Sequence, residues 1–213
     1  MMNKNLLVVF GIIIVALIFF VNAKRNEVPI SKIKYEVGDV ARDFNLKNID
    51  GNMVSLANIE GAKGFVVIFT CNTCPFSKMY EQRIIELDKK YKSQGYPVIA
   101  INPNDKTKVP GDSYEEMIVR AKDKGYTFPY LYDETQEIAT TYGATRTPHV
   151  YLLNKEDNAL KIAYIGAIDN NHKDAASADK KYLEDALQSL INGEKVKTNF
   201  TKAIGCSIKW KDA

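Results

Sequence analysis

The stretch GFVVIFTCNTCPFSKMY, Gly64 to Tyr80, decides the fold. Gly64 to Thr70 is a continuous apolar run, the pattern of a central strand buried on both faces. Cys71, two residues, Cys74 and Pro75 follow directly. Then comes PFSKMYEQRIIELDKKYKSQG, in which Met79, Ile84, Leu87 and Tyr91 recur near helical spacing until Gly95 stops the helix. Pro75 suits a first helical turn, because it has no N–H to lose. Strand-to-helix junctions are where α/β sheets place functional groups.

On the N-terminal side, Phe44 and Leu46 alternate with polar neighbours, Asp50-Gly51 makes a two-residue turn, and Val54 and Leu56 alternate again. This predicts a β-hairpin. On the C-terminal side, YPVIAIN is a second buried strand. SYEEMIVRAKDKGY is a helix with Ser113 and Glu116 as a capping box. TFPYLYD reads as a short strand and TQEIATTYG as a short helix. HVYLLN and KIAYIGAI are two strands joined by KEDNA, and DKKYLEDALQSLING is a last helix. Strands alternating with helices give an α/β domain, a central mixed sheet with helices on both faces. The folded domain is expected over 37–193, after a linker at 26–36. A tail at 194–213 packs on it, with Trp210 as its anchor.

The first 25 residues differ in kind. Lys4 precedes LLVVFGIIIVALIFFV, Leu6 to Val21, sixteen residues without a charge or strongly polar group. That describes a secretory signal peptide. It also describes an uncleaved membrane anchor slightly short of the usual ~20-residue span. Either way, the domain is expected outside the cytoplasm, periplasmic or on the outer face of the membrane. The net charge is +3 and no basic stripe is present, so nucleic acid is not an expected partner.

Three cysteines are too few for a disulfide scaffold, and the third, Cys206, is far from the pair. A zinc clip needs about four ligands and C-x-x-C supplies two. Neither His149 nor His172 forms a second ligand pair with Cys206, so no metal and no cofactor is expected. A 71–74 disulfide closes too small a ring to restrain the unfolded chain. The pair therefore reads as redox-active. With Cys71 at the helix N-terminus, unpaired N–H groups and the helix dipole would favour its thiolate. Cys71 is then the nucleophile and Cys74 the thiol that resolves the mixed disulfide.

The segments GDVARDFNLKNIDGNMVSL, FTCNTCPFSK, FPYLYDETQEIATTYGATRTPHVYLL and IGCSIKW carry a resemblance to the thioredoxin-fold redoxins, in particular the peroxiredoxin-like group of alkyl hydroperoxide reductase and thiol-specific antioxidant proteins. The resemblance implies a thioredoxin-like fold and a thiol-disulfide oxidoreductase that acts on protein thiols and disulfides with a redox partner. It also implies a cis Pro148 facing the redox pair. The backbone of Thr147 would take up an extended substrate segment by strand addition, with Thr70 and Pro75 at the same groove. Cys206 is inert or an accessory thiol.

Two alternatives accompany this reading. A thiol-dependent peroxidase would act on peroxide. The peroxiredoxin pattern, however, has Thr or Ser three residues before the reactive Cys and Pro four before that. Counting back from Cys74 gives Cys71 and Val67, and from Cys71 gives Ile68 and Gly64. A copper-binding chaperone of the same fold would hold Cu(I) on two thiolates.

Overall fold

The computed structural model describes residues 34–212; the apolar run and most of the expected linker lie outside the described residues. The chain runs β1 (Leu46–Asn48), β2 (Met53–Val54), β3 (Gly64–Phe69), α1 (Pro75–Tyr91), β4 (Val98–Asn102), α2 (Tyr114–Lys124), β5 (Tyr130–Tyr132), α3 (Glu137–Tyr142), β6 (Arg146–Thr147), β7 (His149–Glu156), β8 (Ala159–Gly166), α4 (Tyr182–Ile191) and β9 (Cys206–Ser207). Seven strands form one mixed sheet in the order β2-β1-β5-β4-β3-β7-β8. β3 lies inside it, parallel to β4 and antiparallel to β7.

Alternation along β3 divides the core. Val66 and Ile68 face α1, α2 and α4, meeting Ile84, Leu87, Met117, Leu183 and Leu187. Phe65, Val67 and Phe69 face the other way, toward Phe44, Leu56 and the α3 residues Ile138, Ala139 and Tyr142. Every β3 residue is buried, and each large apolar side chain so placed stabilises the fold by roughly 1.5–3 kcal/mol. Such two-sided burial explains an apolar run without alternation.

The hairpin of β1 and β2 pairs Leu46 with Val54 as the turn at Gly51 predicts. Ser113 accepts the Glu116 N–H at 3.3 Å and starts α2. Asp157 and Asn158 have φ of 49° and 63° in the turn between β7 and β8, a conformation Asp and Asn tolerate best after glycine.

Three details differ from the sequence expectation. Met79 is exposed and Tyr80 is the buried residue of that turn of α1, whereas Ile84, Leu87 and Tyr91 face the core as expected. Tyr35, within the stretch read as a linker, is buried and packs edge-on against Tyr142 at 5.1 Å between ring centroids. In the tail, Ile208 is buried, whereas Trp210 remains 38% exposed. The tail is held by an aliphatic side chain and by β9, which pairs with β6 in a separate two-stranded ladder.

Candidate active site

The helix after β3 starts one turn later than the motif suggests. Cys74 is the N-cap of α1 and Pro75 its first residue, so Cys71 lies upstream, at the end of the strand. The cause is Asp112, which is fully buried. Its Oδ1 accepts the backbone N–H groups of Asn72 and Thr73 at 2.8 and 2.9 Å. Its Oδ2 accepts the Thr73 hydroxyl at 2.9 Å and Asn104 Nδ2 at 2.7 Å. Asn72 is pinned further by donating to the Gly111 carbonyl and accepting from the Tyr130 hydroxyl, each at 3.0 Å. The two residues between the cysteines are thereby kept out of the helix.

The sulfurs meet at Thr147, which is fully buried and joined to Pro148 by a cis peptide. Cys71 Sγ lies 3.4 Å from Thr147 Oγ1 and 4.0 Å from Ser77 Oγ. Cys74 Sγ lies 3.1 Å from the Thr147 carbonyl oxygen. Cys71 and Cys74 are 3% and 4% exposed, and both are free thiols, as is the half-buried Cys206. Cys206 stands opposite Thr147 in the β6–β9 ladder.

The electrostatics push the Cys71 thiol up and the Cys74 thiol down. Its hydrogen bond from Cys71 pulls it down to about 4, against burial, with the Cys206 thiol and the Ser77 N–H acting in the same downward direction. The Thr147 carbonyl opposes this, because a carbonyl oxygen favours the protonated thiol. Several donors set against one acceptor leave the direction downward. Cys71 is pushed well above the ordinary thiol range by that same hydrogen bond, by burial and by the Asp112 carboxylate. Cys206 is pushed up to about 11, by burial first and then by its bond to Cys74. The structure differs from the sequence expectation in one respect: the helix-start position belongs to Cys74, and Cys71, at the end of the strand, has the Asp112 carboxylate for a neighbour.

Of the other residues singled out in the sequence, Thr70 is buried and closes β3 by donating its N–H to the Ile101 carbonyl at 2.8 Å. Pro75 is exposed at the start of α1. His149 is buried, and Nδ1 accepts the Thr145 N–H at 3.4 Å. Burial lowers its pKa to about 4, so it is neutral. His172 packs against Phe76 with ring centroids 4.8 Å apart and the planes tilted by 49°. Among the described residues, no three Cys, His, Asp or Glu side chains are grouped as metal ligands would be. Asp112, Asn104 and Ser77 had no signal in the sequence. Their roles come from contacts with the loop, which for Asp112 span about forty residues of chain.

Residues 37–165 match the AhpC/TSA family. The chain is 28% identical to the thiol-disulfide oxidoreductase ResA of Halalkalibacterium halodurans over 125 residues, which cover 59% of this chain and 66% of that protein. A crystal structure of an uncharacterized conserved protein from Geobacillus kaustophilus superposes with a TM-score of 0.78 at 38% identity, covering 84% of this chain and 94% of the other. A thiol:disulfide interchange protein of the thioredoxin family from Chlorobium tepidum superposes at 0.54 and 15% identity, covering 74% and 99%. That likeness establishes the thioredoxin-like fold. Its sheet, its Thr147–Pro148 turn and the match across more than half its length make this chain a member of the AhpC/TSA family.

Proposed function

We propose that this chain is a thiol-disulfide oxidoreductase in which Cys74 is the reacting sulfur and Cys71 the thiol that resolves it. The observation that carries this reading is the placement of Cys74. It occupies the N-cap position of α1, and its Sγ lies 3.1 Å from the Thr147 carbonyl oxygen beside the cis peptide. The similarity to a named thiol-disulfide oxidoreductase supports the reaction class.

The Cys74 thiolate attacks one sulfur of a substrate disulfide. A bond forms between Cys74 and that sulfur, the substrate S–S bond breaks, and the other sulfur leaves as a thiolate. Cys71 then gives its proton to a departing sulfur and attacks Cys74 Sγ. The Cys71–Cys74 disulfide forms, the mixed disulfide breaks, and the substrate leaves as one thiol and one thiolate, which takes its proton from water. Two electrons have passed to it. The reverse sequence oxidises a dithiol. A thiol pushed down from the ordinary range is more ionised at neutral pH and a better leaving group, though a weaker nucleophile than an ordinary thiolate. Its low basicity therefore favours the reduced protein.

The substrates are protein thiols and disulfides, and a second redox protein regenerates the pair. The apolar run Leu6 to Val21 supports placement outside the cytoplasm with a membrane anchor. Among the described residues no helix is long and apolar enough to cross a membrane.

The test is a trap. The Cys71→Ser/Cys206→Ser double variant, mixed with a peptide containing one disulfide, accumulates a covalent adduct at Cys74 detectable by mass spectrometry. Cys74→Ser forms none. An adduct that forms on Cys71 with Cys74 removed, and not on Cys74, would reverse the two roles.

A further inference from the structure

We propose that β9 is a tethered substrate strand, seated beside Thr147 where an extended peptide would bind, and that it presents Cys206 to Cys74 as a second resolving thiol. The inference rests on the oxidoreductase reading above and extends it to a residue outside the Cys-x-x-Cys pair.

The backbone gives the first argument. Arg146 pairs with Ser207 and Thr147 with Cys206, antiparallel, so the edge that strand addition would use is occupied by this chain's own tail. The approach is close. A Cβ on Gly205 would overlap the Thr147 carbonyl and crowd the Pro148 nitrogen, so only glycine lets the tail enter. Immediately downstream, Ile208 is buried and its N–H reaches the Thr145 carbonyl at 3.3 Å. Lys209 donates to Asn104 Oδ1 at 2.9 Å and accepts from Gln136 Nε2 at 2.8 Å. Upstream, Lys202 and Ile204 are exposed, with the next fastening at Thr201, which donates to the Ile165 carbonyl at 2.9 Å. Between these fastenings β9 is held by its pairing with Arg146 and Thr147 and by the Arg146–Ser207 side-chain hydrogen bond at 2.8 Å, so displacing it means opening that short ladder.

The sulfurs give the second. Pro75 has no N–H, so Phe76 and Ser77 supply the first amides of α1. The Phe76 amide acts on Cys206 and the Ser77 amide on Cys74. Cys206 pairs with Thr147, whose carbonyl oxygen lies 3.1 Å from Cys74 Sγ, so Cys74 lies between Cys71 on the strand side and Cys206 on the tail side. Cys206 takes the position that a substrate sulfur needs for exchange with Cys74. With β9 in place, the 3% and 4% exposure of Cys71 and Cys74 leaves no path for a protein substrate.

The cycle balances as follows. Displacement of β9 admits a substrate disulfide; Cys74 bonds to one of its sulfurs and the other leaves as a thiolate. When β9 returns, Cys206 passes its proton to the substrate sulfur being displaced and attacks Cys74 Sγ. The Cys74–Cys206 bond forms, the Cys74–substrate bond breaks, and the substrate strand is expelled from its seat. Cys71 then attacks Cys74 Sγ, forming Cys71–Cys74 and returning Cys206 to a thiol. Resolution and release become one event.

The experiment uses the full chain in detergent, reduced, with Cys71→Ser, mixed with one equivalent of a peptide containing a single disulfide. After acid quenching and alkylation, the disulfides are mapped by mass spectrometry. Cys74–Cys206 is expected as the dominant oxidised species, with the peptide released as its dithiol. A persistent Cys74–peptide adduct with Cys206 alkylated overturns the proposal while leaving the oxidoreductase reading intact. Wild-type protein that leaves the peptide disulfide untouched overturns both. In a second arm, Gly205→Val unseats β9. If the seated strand leaves only a small open fraction, alkylation of Cys74 rises by about tenfold or more. An unchanged alkylation rate in that variant means β9 does not guard the site, and the proposal fails.

Discussion

Thr147 and Cys206 stand opposite each other in the ladder of β6 and β9, so the residue that precedes the cis proline is paired with the third cysteine of the chain. The pairing brings the Cys206 thiol to Cys74, where it helps hold the thiolate. Cys206→Ala removes that donor and raises the Cys74 titration midpoint by about one pH unit, given the usual worth of a hydrogen bond to a charged group. The ultraviolet absorbance of the thiolate during a pH titration measures it. A midpoint that stays in place would mean that Cys71 and Ser77 suffice.

Asp112, fully buried, fastens the loop between Cys71 and Cys74 with three accepted hydrogen bonds and takes a fourth from Asn104. Asp112→Asn turns one acceptor oxygen into an amide that faces donors. It is expected to cost about 2–4 kcal/mol in urea unfolding. With the carboxylate charge gone from beside Cys71, that thiol also becomes easier to ionise. Wild-type stability in this variant would show that the loop holds its shape without the carboxylate.

Acid should weaken the fold through His149. Burial, with a smaller push from Lys34, lowers its pKa from 6.5 to about 4, so the unfolded chain takes up the proton more readily than the folded one. Above about pH 6.5 both states are neutral and the residue makes no difference. As the pH falls toward 4, the folded state loses ground, by about 2 kcal/mol at pH 5. Urea unfolding of wild type and His149→Asn at pH 7 and pH 5 tests this, since Asn can still accept the Thr145 N–H. The variant should show a smaller loss, and equal losses would assign the pH dependence elsewhere.

Ile208 is the buried anchor of the tail. Ile208→Ala leaves a cavity costing about 2–4 kcal/mol. Because the contact is at the edge of the domain, the loss should appear as local release. Alkylation of Cys206 should accelerate more than hydrogen exchange in β3. Equal changes at both would show that the tail unfolds only with the whole domain.

The central strand, the hairpin and the order of strands and helices were legible because each depends on a local pattern: unbroken burial in Gly64–Phe69, alternation about Gly51, and capping at Ser113. The cis Thr147–Pro148 peptide was legible only through the family resemblance. The helix-start position of Cys74 was not, because C-x-x-C spacing does not say which cysteine begins the helix. That depends on Asp112, distant in sequence, taking the amides of Asn72 and Thr73. Trp210 misled for a related reason. Residue size suggests an anchor, but Ile208 is the tail residue that is buried, while Trp210 stays 38% exposed.

The β6–β9 ladder is built from backbone groups that every peptide carries. Exchanging the tail for a substrate strand therefore trades like for like, and the ladder itself selects nothing. The tail is also covalently tethered, which gives it an effective concentration on the order of millimolar at its own binding edge. A free peptide with the same strand geometry loses that competition at ordinary cellular concentrations. Entry belongs to partners that bring contacts beyond the strand, or whose disulfide captures Cys74 during the brief absence of the tail.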